Sequence, residues 1–270
     1  MAPLGLIAGN RSLPFLFARE AKTKGQRVIA VGFTGETDPA LVTEVEELVW
    51  LRVGQLSALI QAFTSRGVKQ CVMLGQIAPK NLFDLRPDLR AMGLMFRLKE
   101  KNAHTLFGAI GDELAREGVE LITAIPWLKP WMPGPGFRVG PRLSEAQSAD
   151  FALGQRIAKE ISRLEIGQTV VVKNGTVLAV EGLEGTDACL ERGGKLSGKG
   201  GGAVAVKVAK PGHDLRFDLP CMGTRTLEVA LAAGIQMLGF EADRTILLDR
   251  PDLESAAQRN KFTLASFAAD

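Results

Sequence analysis

Strand-length apolar runs alternate with helical patterns through the first half of this 270-residue chain. Leu4-Gly-Leu-Ile-Ala8 is followed by the turn residues Gly9, Asn10, Arg11 and Ser12, a helical pattern through Lys24, and a second run, Arg27-Val-Ile-Ala-Val-Gly32. Residues 54–66 place Leu56, Leu59, Ile60 and Phe63 at helical spacing before the strand Gln70-Cys-Val-Met-Leu74. Residues 112–117 and 119–125 repeat the pair. Such alternation demands crossover connections, and a parallel sheet with helices on its faces is the economical solution. Ligands of these sheets sit at the carboxyl ends of strands, which puts Gly9 to Ser12 beside a crevice.

The length is comfortable for two domains. Residues 126–136 hold four prolines and two glycines, a composition that excludes helix and central strand and marks a linker. The expected domains are therefore residues 1–135 and 136–270. Beyond the linker, Ser144-Glu-Ala-Gln147 is a capping box, and its helix carries Ala149, Leu153, Ile157, Ile161 and Leu164 on one stripe. Asn174-Gly175 joins two β-branched runs as a type I′ hairpin. A net charge of +3 is too weak to argue for nucleic acid. No apolar run is long enough to span a bilayer and the N-terminus lacks a signal-like pattern, so the expected location is the cytoplasm. Cys71, Cys189 and Cys221 are scattered, with no pair to suggest zinc or redox chemistry.

Residues 181–226 concentrate carboxylates, lysines and glycines, the residue types that a phosphate site with a divalent metal requires. Gly193-x-x-x-x-Gly198-Lys199 departs from a P-loop at Gly200, and a strand rather than a helix follows it. The glycine-rich run 193–202 is either a surface excursion or a lid that brings Lys195 and Lys199 to phosphate oxygens. Gly5-Leu-Ile-Ala-Gly9 lacks the full dinucleotide fingerprint, and no acidic residue stands at the end of the second strand, where Gly32-Phe-Thr-Gly35 occurs. That disfavours an oxidoreductase. Asp218, between Phe217 and Leu219, needs a partner or a metal if it is buried. The basic, Leu/Met/Phe-rich residues 87–104 are either an amphipathic core helix or an adaptable wall for an acyl chain. His104 and His213 form no triad spacing.

Several of these segments together resemble one family. They are Gly5-Leu-Ile-Ala-Gly9 with Leu13-Pro14, Glu165-Ile-Gly-Gln168, the run through Glu184-Gly-Thr-Asp187, Lys207-Val-Ala-Lys-Pro-Gly212 and Arg216-Phe-Asp-Leu-Pro220 with Gly223. In this order they are similar to the magnesium-dependent UDP-2,3-diacylglucosamine pyrophosphatases unrelated to calcineurin-like phosphoesterases. The resemblance implies an α/β fold with a Rossmann-like N-terminal domain and a distinct α/β C-terminal domain. It also implies hydrolysis to UMP and 2,3-diacylglucosamine 1-phosphate, a Mg2+ or Mn2+ cofactor, a homodimer, and peripheral contact with the inner face of the inner membrane. Asp218 matches the family's catalytic Asp-Leu-Pro acid, with Asp187 and Asp218 as candidate metal ligands. Gly9, Asn10, Arg11, Ser12, Thr186, Asp187, Lys195, Lys199, Lys210 and Thr224 are the expected substrate-binding residues. Two departures stand out: Arg11 occurs where members often have Gly, and Lys101-Asn-Ala-His104 where many carry an acidic pair. A non-catalytic nucleotide-sugar or lipid-binding protein is the alternative reading.

Overall fold

A computed structural model of the chain describes residues 2–77, 87–98, 103–209 and 214–268. The chain folds into two compact units, Met1–Leu128 with Asp214–Asp218, and Lys129–His213 with Leu219–Asp270.

The first unit runs β1 (Leu4–Ala8), α1 (Leu13–Thr23), β2 (Val28–Phe33), β3 (Glu47–Leu51), α2 (Leu56–Thr64), β4 (Gln70–Leu74), α3 (Leu89–Arg97), α4 (Ala103–Arg116), β5 (Glu120–Leu121) and the one-turn helix α5 (Ile125–Leu128). Its sheet has the order β3-β2-β1-β4-β5 and every pairing is parallel. That is the Rossmann order up to its fifth strand, with the direction of winding reversing between β1 and β4. The central strands β1 and β2 are buried at every position, as a sheet covered on both faces requires. Helices α3 and α4 are tied by Glu113, a buried carboxylate that accepts from Arg90 and Arg97 at 2.7 Å each and pairs with Arg116. The Arg90 guanidinium, with Arg97 beside it, holds the Glu113 carboxyl below the usual glutamate range. Helix α5 corrects the expectation that residues 126–136 exclude helix. Pro126 occupies the first turn, where a missing N–H costs nothing.

The second unit runs β6 (Arg138–Val139), α6 (Glu145–Arg163), β7 (Thr169–Lys173), β8 (Thr176–Val180), α7 (Thr186–Leu196), β9 (Ala203–Lys207), β10 (Cys221–Met222), α8 (Thr224–Ala232), β11 (Ile235–Glu241), β12 (Ile246–Leu247), α9 (Arg250–Arg259) and β13 (Thr263–Phe267). Its main sheet has the order β6-β13-β11-β9-β7-β8, with β9, β11 and β13 parallel and the outer pairings antiparallel; β10 and β12 form a small ribbon. One face packs on α7, α8 and α9 through Leu190, Leu227 and Leu253, and the other on α6 through Ala158 and Ile161.

The capping box at Ser144 forms as expected; of the expected stripe Ile161 is buried and Leu153 and Ile157 pack half-buried against the core, whereas Ala149 and Leu164 are exposed and the most buried row also takes in Asp150, Gly154, Ala158 and Ser162. Gly154 lets the helix press on Val206, since a Cβ there would lie 2.6 Å from a Val206 methyl carbon. Asp150 accepts from the backbone N–H groups of Asn174 and Gly175 at 2.8 and 2.7 Å. Both turn residues have positive φ, so the hairpin turn is held from the helix as well as by its own preference.

Candidate functional site

At the winding reversal of the first unit, two glycine turns cross. The Gly9 N–H donates to the Leu74 carbonyl and the Asn10 N–H to the Gln76 carbonyl, both at 2.8 Å. A Cβ on Gly9 would lie 2.6 Å from the Gln76 carbonyl oxygen, and one on Gly75 would lie 2.6 Å from that of Asn10. Gly9 thus makes room for a neighbouring strand end. Arg11 adopts φ 69°, the left-handed region that glycine enters freely. Ser12 is the N-cap residue of α1 and makes no side-chain cap.

Asn10 Nδ2 donates to Glu36 Oε2 at 2.8 Å, while its Oδ1 is buried with no partner among the described residues. Glu36 is 9% exposed. It supplies the acidic residue that the sequence reading found missing after β2. The strand ends at Phe33, and Gly35 at φ 84° turns the chain so that Glu36 comes back to Asn10. Thr37 anchors the turn by accepting from the Phe33 N–H and donating to the Ala8 carbonyl. The signal was the Gly35-Glu36-Thr37 turn rather than the strand end.

The same edge opens on a cavity of about 590 Å³ with walls that include Ile7, Leu59, Met73, Leu94, Phe107 and Phe217. Helix α3 lines it with Ala91, Leu94 and Met95 and exposes its other side, where Leu89 and Phe96 are 83% and 86% accessible. The described part of residues 87–104 is therefore a cavity wall as well as an amphipathic helix. Asp214–Asp218 belongs to this unit although its chain neighbours belong to the other. Phe217 anchors it on Phe107, ring centroids 5.6 Å apart, and Arg216 grips both carboxylate oxygens of Asp214. Asp218 lines the cavity with its side chain exposed. Set between two apolar residues, Asp218 is expected from sequence to be less than simply solvated; the turn sends Phe217 toward Phe107 and leaves Asp218 exposed.

In the second unit, Thr186 opens α7 behind Gly185 and Thr224 opens α8 behind Gly223, neither cap residue contributing a side chain. Asp187 pairs with Arg225 at 3.3 Å across the two helix starts. At the other end Gly194 meets the Ala233 carbonyl so closely that a Cβ would lie 2.1 Å from it. Helices α7 and α8 are therefore side by side and parallel. Gly193 presses on Val171 in the same way. The first half of the glycine-rich run is accordingly helix, its glycines spent on close packing, and the lid is confined at most to residues beyond Leu196. Lys195 is exposed in the last turn of α7 and Lys199 in the following loop. Along the helix Lys195 stands about 14 Å from Thr186. The structure does not bring the two lysines to the helix starts. Lys210 lies outside the described residues.

Behind Thr186 are two groups that lie in stretches marked in the sequence, with no individual role assigned to them there. Lys207 ends β9 opposite Thr169, and its Nζ donates to Thr186 Oγ1 at 3.0 Å. That hydroxyl donates in turn to Glu181, 3.2 and 3.3 Å from its two oxygens. Lys207 and Glu181 are 8% and 6% exposed. Their signal was position at strand ends. Cys189 lies beneath, its thiol pushed up to about 12 by burial, and Cys71 is shifted likewise, so neither is a nucleophile. Asp187 and Asp218, paired as metal ligands from sequence, belong to different units, and among the described residues no group of three or more His, Cys, Asp or Glu is placed to hold a metal.

A parallel sheet with glycine turns at its winding reversal, opening on an apolar cavity with a carboxylate, defines an α/β protein of the ligand-binding Rossmann class. Comparison with known proteins is more specific. The LpxI N-terminal domain model matches residues 3–130 and the LpxI C-terminal domain model residues 135–265. The UDP-2,3-diacylglucosamine pyrophosphatase LpxI of Caulobacter vibrioides is 32% identical over 268 residues, 95% of this chain and 94% of that protein. The chain belongs to the LpxI family. Among solved structures, the N5-carboxyaminoimidazole ribonucleotide synthetase of Thermotoga maritima and the N5-carboxyaminoimidazole synthetase of Staphylococcus aureus match at 12% and 15% identity over 68% and 72% of this chain and 42% and 44% of theirs. Their TM-score is 0.26.

Proposed function

We propose that this protein hydrolyses the pyrophosphate bond of UDP-2,3-diacylglucosamine, giving UMP and 2,3-diacylglucosamine 1-phosphate in lipid A biosynthesis. The observation that carries the reading is the apolar cavity of about 590 Å³ with the exposed Asp218 carboxylate on its lining. A diacylated sugar needs apolar volume, and its diphosphate needs a polar group close by. Met73, Met95 and Phe107 are adaptable walls for an acyl chain. The turn Gly9 to Ser12 takes the UMP half, with Asn10 and Glu36 offering an amide and a carboxylate to its hydroxyls.

In the reaction water adds to one phosphorus and the bridging oxygen leaves with the other, so negative charge grows on the phosphate oxygens. Asp218 orients that water or holds the ion that supports it. Magnesium or manganese is the cofactor of this reading: Asp218 supplies a hard oxygen donor, and such ions are usually bound by one or two carboxylates together with substrate phosphates. When bound, the ion offsets the charge that develops in the transition state. The protein acts as a homodimer with peripheral membrane contact, for which the exposed Leu89 and Phe96 are suitable; among the described residues no helix is long and apolar enough to cross a membrane. Incubation with UDP-2,3-diacylglucosamine and magnesium tests the reading. UMP is the expected product, and its absence from folded protein retires the proposal.

A further inference from the structure

We infer that the carboxyl edge of the second unit's sheet carries a phosphate or diphosphate subsite with Lys207 as its buried cation. It rests on the proposed reaction only for the identity of the natural ligand. A nine-tenths buried ammonium is costly unless it is paired. Lys207 has three N–H donors, and its partner among the described residues is one neutral hydroxyl, that of Thr186. The Thr186 proton is already committed to Glu181, so Thr186 holds the ammonium in place without neutralising it. Two donors of a fixed cation remain for an acceptor.

The surroundings favour an acceptor that is an oxyanion. Helices α7 and α8, of 11 and 9 residues, start side by side behind Gly185 and Gly223, and neither start has a side-chain cap for its first-turn N–H groups. The Asp187–Arg225 pair joins the two starts and the Gly194–Ala233 approach keeps the helices parallel. Parallel dipoles add their positive ends on one side. Lys207 and Glu241 end the parallel strands β9 and β11 on that edge. Glu241 accepts from the Ala209 N–H at 2.8 Å, and Lys207, with three donors and one acceptor among the described residues, keeps the larger unused hydrogen-bonding capacity of the two. The glycines at 193 and 194 thus serve the anion indirectly, by letting two helix starts stand together.

Calorimetric titration of the full chain with inorganic pyrophosphate at low salt, with melting curves on the same samples, tests this subsite. Wild type binds, Lys207→Met weakens binding by about tenfold or more, and Glu181→Gln, which removes the opposing charge, strengthens it. A merely structural network makes no such opposite pair of changes. Absence of binding by wild type, equal affinity in Lys207→Met, or weaker or unchanged binding in Glu181→Gln overturns the inference, and the last holds even if Lys207→Met fails to fold. Release of UMP from substrate with unresponsive variants removes the subsite and keeps the reaction; the converse removes the reaction alone.

Discussion

In the first unit the carboxyl ends of β1 and β4 open on an apolar cavity with Asp218 on its lining. In the second, the equivalent edge buries Lys207, Glu181 and Glu241, each more than nine-tenths out of solvent. One edge spends its burial on volume and the other on charge. The first arrangement tolerates any apolar group of suitable size, because hydrophobic contact is non-directional. The second is exacting, since a buried ion without a partner is penalised heavily. The comparison teaches that glycine serves both arrangements. At Gly9 and Gly75 it lets two strand ends cross; at Gly193 and Gly194 it lets a helix approach a strand and a second helix.

The largest effect that can break this division lies at Asp218. If its carboxylate acts in the chemical step, Asp218→Ala loses about 10²-fold or more in kcat while its melting temperature and substrate binding hold. A residue exposed on a turn anchored by Phe217 is not required for folding. Single-turnover hydrolysis beside a melting curve decides it, and near-normal turnover ends the role. Next is Gly9→Val, where the new Cβ meets backbone atoms of Gly75 and Gln76 rather than a flexible side chain. Chemical denaturation should show a stability loss of about 2 kcal/mol or more; unchanged stability would mean that the two turns separate freely.

The cavity itself is tested by Ala91→Phe, which turns a buried methyl of α3 into a ring that fills part of the lining. Apparent affinity for the diacylated substrate should fall by about tenfold, the loss of roughly two buried methylenes, with UMP binding unchanged. Equal loss for UMP and for the lipid substrate would show that the two halves do not use separate surfaces.

How much of this was legible in the sequence depends on the kind of signal. Parallel β-α alternation is written in local periodicity, so β1, β2, β4, α1 and α2 emerge directly. The Asn174-Gly175 turn and the Ser144 cap carry their chemistry in two to four residues. Strands β11 and β13 are harder to read, because Gln236 and Gly239 break the apolar run of the first and Thr263 and Ser266 that of the second. The stripe of α6 is read only in part: Leu153, Ile157 and Ile161 face the core, but small residues, Gly154 and Ala158, make the closest approach and carry no hydrophobic signal. In the site, Asp218 and the Gly9 turn are marked by motif, whereas Glu36 and Lys207 depend on where a turn or strand end delivers them. Composition made residues 193–202 look mobile; only tertiary packing distinguishes a glycine spent on flexibility from one spent on contact.

The smallest expected effect is at Arg11, and it separates backbone fit from ligand contact. At φ 69° an arginine costs about 1 kcal/mol that glycine does not, but glycine also loses up to about 1 kcal/mol more entropy on folding. The two nearly cancel, so Arg11→Gly should leave stability within about 0.5 kcal/mol of wild type. Arg11→Val, with a β-branched side chain in the same region, keeps the conformational cost and increases it. Strain of this kind persists where the surrounding structure over-determines it, and here the crossing of Gly9 and Gly75 fixes the turn on one side and α1 on the other. If the guanidinium is retained for the nucleotide phosphate, Arg11→Gly weakens UMP binding several-fold with no loss of melting temperature. Calorimetric titration with UMP on both variants reads this out, and an unchanged affinity in Arg11→Gly removes Arg11 from the ligand and leaves it a tolerated strain.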